Sequence, residues 1–209
     1  MKKEWDRLRE KNVWDESCPR EWDDVRREAD AGGYTVHMGW LFGICVEKKA
    51  ELEPDDPNRK FKGRVVFQGN HVIDQNYDAA IFQDLGSSPA TMEASKLADF
   101  YGCAPDNVVQ IADAEQAYIQ ADMTGTPTWI CLPPEARPAW WKIKFPHLRR
   151  PVCRLRRALY GHPDAGTMWE QLQDTHAKRV GFRALGAEWP SCYWHDRLKL
   201  MLVVYVDDF

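Results

Sequence analysis

Two adjacent carboxylates near the end of the chain are the residues best placed to do chemistry. Asp207 and Asp208 directly follow the apolar run 202–206, and Asp113 follows a second apolar run, 107–112. Two like charges at the end of a buried strand are costly unless they face water, a cation or a counter-charge. If the two runs are strands that pair, the three carboxylates converge. Mg²⁺ prefers such oxygen ligands, completed by water and substrate phosphates, so the pattern predicts a divalent-cation site, whereas an isolated Asp-Asp pair is usually a surface turn.

Basic residues are concentrated in one stretch of the second half. The net charge is −4, yet no acidic residue occurs between Arg137 and Pro163. Aromatic residues are interleaved with these cations, and this favours a polyanion partner because rings stack on bases while guanidinium groups neutralise phosphates. A plain solvated surface is the alternative interpretation. The candidate nucleic-acid-binding residues of this stretch are Arg149, Arg150, Arg154, Arg156 and Arg157.

The composition narrows the class of protein. A chain of 209 residues that is 44% hydrophobic can bury a substantial core, and it has no apolar run long enough to span a bilayer. The N-terminal residues are too highly charged for a signal peptide. Six cysteines occur without a C-x-x-C pair, and six histidines without metal-ligand spacing. We therefore expect an intracellular protein, cytoplasmic or nuclear, with reduced thiols.

Local patterns predict an α+β chain. Residues 1–33 have helical periodicity and end at Gly32-Gly33, and 34–46 with 61–68 indicate a β-hairpin whose tip is acidic. A helix is expected over 89–101 with Ser88 as N-cap, and another after a Thr167 to Glu170 capping box. Strands are expected over the apolar runs 107–112, 128–132, 152–155, 191–195 and 199–206. The last of these runs should be central in a sheet.

Four motifs in this order and approximate spacing resemble the reverse transcriptase of Ty1/copia-type retrotransposons. They are FKGRVV at 61–66, DAEQAYI at 113–119, VCRLRRALYG at 152–161 and YVDD at 205–208. The resemblance extends from about residue 20 to the end of the chain. It implies a right-hand polymerase with fingers and palm, an antiparallel palm sheet with packed helices, and RNA-directed DNA synthesis. The family places its thumb after the YVDD motif, and we expect no thumb here because the sequence stops at Phe209.

The resemblance also implies roles for individual residues. Asp113, Asp207 and Asp208 resemble the catalytic aspartates that hold two Mg²⁺ ions, which Mn²⁺ can replace. Lys62 and Arg64 resemble residues that hold the triphosphate of the incoming nucleotide, and Tyr118 resembles an aromatic gate against its sugar. Tyr160 and Gly161 match the element that supports the templating base and the nucleotide. This chain continues with HPDAG at 162–166, where the family usually has a run similar to Lys-Gln-Ala-Pro.

The expected organisation is a helical lead-in over 1–33, a fingers-like region over 34–105 and an incomplete palm-like region over 106–209. The implied partners are an RNA template, a DNA primer and deoxynucleoside triphosphates, with further polyprotein segments absent here. Because the sequence stops one residue after Asp208, we expect little polymerase activity from this chain alone. The alternatives are an inactive nucleic-acid-binding relic of the same fold, and an unrelated metal-dependent α+β phosphotransferase.

Overall fold

Residues 1–82 and 87–209 are described by the structure, which is a computed structural model. The helices are α1 (Lys2–Glu10), α2 (Trp22–Gly32), α3 (Met92–Gly102), α4 (Ala117–Gln120), α5 (Trp141–Lys144) and α6 (Ala165–Arg179), with a 3₁₀ turn at Pro134–Ala136. The strands are β1 (Arg20–Glu21), β2 (His37–Lys48), β3 (Lys60–Phe67), β4 (Ile73–Asp74), β5 (Thr128–Cys131), β6 (Pro151–Arg154), β7 (Arg183–Ala184), β8 (Cys192–His195) and β9 (Leu200–Val203). The chain is therefore a mixture of helices and strands.

The chain forms two compact units, and each is built from two separate stretches of sequence. The first unit comprises Met1–Phe82 and Asp122–Pro163. The second unit comprises residues 87–121, as far as the structure describes this stretch, together with Asp164–Phe209. The assignment of 34–105 to fingers and 106–209 to a palm stays a prediction.

A mixed sheet forms the centre of the first unit. Its strand order is β1-β6-β5-β2-β3, and β4 also pairs with β2. The pairing of β2 with β5 is parallel, whereas the other pairings are antiparallel. Helix α2 covers this sheet, and its buried side chains pack with residues of the strands into one core of Trp22, Val25, Ala29, Val36, Met38, Cys131 and Val152.

The predicted hairpin is present as β2 and β3. The two strands pair from Leu41 with Phe67 to Lys48 with Lys60, and the acidic connector 49–59 joins them. The ends of the strands near the core are buried, whereas the part near the connector is exposed. The hairpin expected over 34–46 and 61–68 is thus present, and its inner half is buried on both faces, since consecutive residues there are buried and successive side chains of a strand point to opposite faces.

The second unit contains a small antiparallel sheet with the order β7-β8-β9. Helix α6 contributes Ala177 to a core that it shares with Tyr193 and Val204. Helix α3 contributes Ala94 to a second cluster with Cys192. Among residues 1–82 and 87–209, no helix is long and apolar enough to cross a membrane.

Two of the predicted strands differ from the structure. Residues 107–112 form no strand, and three of their apolar side chains, Val108, Val109 and Ile111, are exposed. The strand at the end of the chain is shorter than expected, and β9 lies at an edge of its sheet rather than at the centre. Apolar composition signals burial in a sheet only where a neighbouring strand is available to complete the pairing.

The beginnings of two helices also differ from the prediction. Helix α3 begins after Thr91, whose side chain accepts a hydrogen bond from the Ala94 amide, and not after Ser88. Helix α6 begins at Ala165, and the Glu170 carboxylate accepts from the Ser88 amide and the Ser191 hydroxyl instead of closing a capping box. Tertiary partners thus replaced the local hydrogen bonds that the sequence pattern predicted.

Candidate functional site

The motif at 205–208, which we call the acidic turn, is a tight reversal of the chain. The Tyr205 amide donates to the Asp208 carbonyl at 2.9 Å, and the Asp208 amide donates back to the Tyr205 carbonyl at 3.0 Å. Val206 inside the turn has a φ of +59°, which is uncommon for a β-branched residue. A reversal therefore forms within these four residues, although Val206 is poorly suited to its backbone conformation.

Asp113 is joined to the acidic turn through the backbone. Ala112 and Phe209 exchange two hydrogen bonds of 3.0 and 2.8 Å, and the Ala114 amide donates to the Asp207 carbonyl at 2.6 Å. Between these bonds Asp113 lies directly opposite Asp208 in an antiparallel bridge. The convergence expected from the sequence is thus present at the level of the backbone, although residues 107–112 are not a strand.

The pairing places two carboxylates on one face. Residues opposite each other in an antiparallel pair point to the same side, with Cβ atoms about 4.5 to 5.5 Å apart. Asp113 and Asp208 form such a pair, and both are exposed, as is Asp207. In the described ranges 1–82 and 87–209, no three His, Cys, Asp or Glu side chains form a ready-made metal cage. Mg²⁺ usually takes one or two protein carboxylates and completes its shell with water and phosphate oxygens, so the pair fits this cation.

Helix α6 supports the acidic turn through a residue whose role the sequence did not reveal. The indole N–H of Trp169 donates to the Val206 carbonyl at 2.6 Å. On the strand side, the Val204 amide donates to the Ser191 carbonyl and the Val204 carbonyl accepts from the Ala90 amide. The expected capping box at 167–170 gave no indication of this contact. The sequence held only a general signal for this contact, namely that a buried indole N–H needs a hydrogen-bond acceptor.

Tyr118 lies in the short helix α4. This helix begins directly after Gln116, whose backbone has a left-handed conformation. Its side chain is half-buried and lines a cavity of about 20 Å³ together with Trp169 and Val206. Tyr118 is therefore a neighbour of the residues that hold the acidic turn. Its assignment as a sugar gate stays a prediction, since packing beneath the turn accounts for the same position.

In the first unit, Arg64 on the hairpin is stacked over the ring of Tyr160. The guanidinium carbon is 5.3 Å from the ring centroid, and both residues are exposed. Lys62, two residues earlier on the same strand face, has a lowered pKa, chiefly through partial burial and then through the positive charges of Lys48 and Arg64. Like-charge repulsion of this kind favours an anionic ligand, and the planar arginine fork suits a phosphate.

Gly161 is required by backbone packing. Its φ is +91°, and a Cβ added there would lie 2.2 Å from the Phe67 carbonyl oxygen. The preceding residue, Tyr160, accepts a hydrogen bond of 2.9 Å from the Phe67 amide through its carbonyl. This close approach fixes Tyr160 against the end of β3, so that Gly161 positions the Arg64 and Tyr160 pair.

Most arginines of the predicted nucleic-acid-binding set have intramolecular partners. Arg156 bonds to Asp15, and Arg157 lies 2.8 Å from an Asp122 carboxylate oxygen. Arg154 is half-buried against the Trp129 ring at 5.9 Å, and Arg150 donates to the Tyr77 hydroxyl. Within the described residues, only the Arg149 side chain of this set has no such contact. Nucleic-acid binding by these five arginines stays a prediction. Four of them contact other residues of the first unit.

No family model, curated protein or solved structure matches this chain. The acidic turn and the Arg64 and Tyr160 pair are therefore the features of the chain that bear on its function.

Proposed function

We propose that this chain is the fingers and palm part of an RNA-directed DNA polymerase similar to the reverse transcriptases of Ty1/copia-type retrotransposons. The observation that carries the proposal is the bridge between Asp113 and Asp208. Two of the aspartates that the motif resemblance marks as catalytic are adjacent in space, although they are distant in sequence. An Asp-Asp pair in an ordinary surface turn is not expected to lie opposite a third aspartate that is distant in sequence.

The proposed reaction is nucleotidyl transfer onto a primer. The primer 3′ oxygen attacks the α-phosphorus of a deoxynucleoside triphosphate, a new P–O bond forms there, the bond to the bridging oxygen breaks, and pyrophosphate leaves. Asp113, Asp207 and Asp208 are the residues that would hold two Mg²⁺ ions. When bound, the ions supply charge neutralisation and make the attacking hydroxyl easier to deprotonate.

Arg64 and Lys62 support the same proposal through their chemistry. A triphosphate needs donors that stay charged at neutral pH, and arginine supplies five N–H donors in a rigid fork. The Tyr160 ring restricts the Arg64 guanidinium to one region, so less side-chain freedom is lost when a phosphate binds.

The first test measures cation binding directly, by electron paramagnetic resonance of Mn²⁺ with the purified chain and a deoxynucleoside triphosphate. Asp113→Asn and Asp208→Asn should each weaken Mn²⁺ binding about tenfold or more, because each removes an anionic ligand. Glu93→Gln is the matched control, since Glu93 is an exposed carboxylate of helix α3 in the same unit and does not line the cavity that Asp208 lines. Equal Mn²⁺ affinity in the wild type and both site variants would contradict the proposal.

The second test is primer extension on an RNA template with Mg²⁺. Any extension should be lost in Asp113→Asn and retained in Glu93→Gln. An inactive nucleic-acid-binding relic is the second candidate. The stretch 137–150 of the first unit favours it, because this stretch contains no acidic residue and exposes Trp140. Tight binding of the template and primer, without site-dependent Mn²⁺ binding or extension, would select that candidate.

A further inference from the structure

Residues 137–150, which we call the aromatic lobe, project an exposed surface from an anchored base. The anchor is Trp141, which is 4% exposed and donates through its indole N–H to the Glu16 carbonyl at 3.0 Å. Next to it, Trp140 is 40% exposed and Ile143 is 83% exposed. One tryptophan thus fixes helix α5 while its neighbours face solvent.

The exposed Trp140 ring, the half-buried Phe145 ring and the exposed Lys144 lie together on the lobe. The rings of Trp140 and Phe145 lie 6.0 Å apart, centroid to centroid. The Lys144 ammonium lies 5.8 Å from the Trp140 centroid and 5.5 Å from that of Phe145. Aromatic faces beside a flexible cation are the combination that binds bases together with their phosphates.

The structure divides the cations of the basic stretch into two groups. The later arginines are engaged, as Arg156 and Arg157 are by Asp15 and Asp122. The five cations of the lobe, by contrast, have no carboxylate partner among the residues that the structure describes. Arg137 donates to the Leu132 carbonyl and Arg150 to the Tyr77 hydroxyl, and the other three are Lys142, Lys144 and Arg149.

The nearby Glu21 carboxylate does not neutralise these cations through a side-chain ion pair. It accepts from the backbone amides of Arg149 and Arg150 at 2.6 and 3.0 Å. The lobe sequence itself contains no acidic residue. Its positive charge is therefore left to an external anion, and the exposed Trp140 ring lies next to that charge.

We propose that the aromatic lobe binds single-stranded nucleic acid, with bases stacked on Trp140 and phosphates held by Lys142, Lys144 and Arg149. The choice of nucleic acid over another polyanion rests on the proposed function. Of the arginines that the sequence marked, the proposed surface uses only Arg149, and it involves none of the residues assigned to the reaction.

The test is fluorescence anisotropy of a labelled 20-nucleotide poly(dT) strand, titrated with the full chain at several NaCl concentrations. Lys142→Ala with Lys144→Ala should weaken binding about fivefold or more at low salt. It should also reduce the slope of log K against log salt by roughly 1.4, because each phosphate contact on a single strand contributes about 0.7. Lys96→Ala with Arg179→Ala is the matched control, since it also removes two exposed cations, one each from helices α3 and α6, and we expect the slope to be unchanged.

Trp140 gives a second, independent signature. Trp140→Ala should weaken binding roughly 5- to 100-fold, as expected for loss of one stacked base, with the salt slope unchanged. Trp140→Phe should retain most of the affinity because it keeps a ring. Circular dichroism of each variant establishes that it is folded, and the Phe variant covers the case in which the Ala variant is not.

Any of three results with the strand would overturn the inference. They are no binding of the strand by the wild type, equal binding by the wild type and the lobe variants, and an equal loss in the Lys96 and Arg179 control. Sedimentation with phosphatidylserine vesicles tests a membrane partner, and binding to vesicles but not to the strand would also overturn it. None of these results alters Mn²⁺ binding by Asp113 and Asp208, so the proposed function can stand or fail separately.

Discussion

At the residue scale, one buried imidazole should set the acid limit of stability. His162 is 4% exposed, and its ring lies 4.9 Å from that of Phe67 and 5.5 Å from that of Phe82. Burial in these surroundings lowers the pKa of His162 to about 4, and the neighbouring His37 adds to the effect. Burial lowers the pKa of His37 as well, although Asp74 opposes that shift. The folded state therefore holds His162 neutral at pH values where the unfolded chain protonates it.

The direction of the pH effect follows from proton binding. The unfolded state binds the proton from about pH 6.5 downwards and the folded state only near pH 4, so stability falls as pH decreases across this window and then levels off. For His162 alone, the loss between pH 7 and pH 5 is about 2 kcal/mol. His162→Gln should reduce the difference in unfolding free energy between these pH values by about that amount, as measured by urea denaturation. The exposed His176 provides the control, and an unchanged difference in His162→Gln would contradict the assignment.

Gly161 allows a separation of backbone strain from steric clash. Gly161→Ala places a Cβ 2.2 Å from the Phe67 carbonyl at a φ of +91°, whereas Gly125→Ala has a φ of +72° with nothing within 4 Å. We expect Gly161→Ala to cost about 3 kcal/mol or more and Gly125→Ala about 1 kcal/mol, since only the former adds a clash. Thermal and urea unfolding of both variants measure the difference. Equal costs would show that the close approach to β3 is not a constraint.

At the element scale, helix α6 should stabilise the acidic turn through a single hydrogen bond. Trp169→Phe keeps an aromatic ring in the core but removes the donor to the Val206 carbonyl. The expected cost is about 1 kcal/mol in the free energy of unfolding, together with weaker Mn²⁺ binding at Asp113 and Asp208, because the turn loses a support. Phe182→Leu, in a core cluster of the same unit, is the control for a general loss of stability. Wild-type Mn²⁺ binding in Trp169→Phe would show that the turn holds its shape without the helix.

The same scale shows which elements the sequence could predict. The β2 and β3 hairpin was predictable because both runs are typical of strands and each strand finds its partner nearby along the chain. The strand over 107–112 was not, since only Ala112 and its neighbours reach a partner, at the acidic turn. Apolar residues predicted the edge strand β9 as a central one, because composition does not reveal whether both neighbours of a strand are present. The aspartates of the candidate site were predictable from motif spacing, whereas Trp169 was not, because its role depends on which carbonyl lies within its reach.

At the scale of the whole molecule, the two compact units impose a constraint on how the chain folds. The core of the first unit joins Trp22 and Met38 from the first stretch with Cys131 and Val152 from the second. Strand β2 pairs in parallel with β5, which lies more than 80 residues further along the chain. Contacts of such long sequence separation require closure of a long loop before they contribute stability.

Neither stretch of the first unit should therefore fold alone. A fragment of residues 1–82 retains α2 and the hairpin, but it lacks β5 and β6, so the apolar faces of Trp22 and Met38 have no cover. We expect this fragment to show weak circular dichroism and no cooperative urea transition, because the buried area that remains cannot offset the loss of chain entropy. Addition of a peptide of residues 122–163 should restore both signals, whereas one in which Val152 is replaced by Asp should not. Cooperative unfolding of the 1–82 fragment by itself would show that the first unit does not depend on the shared core.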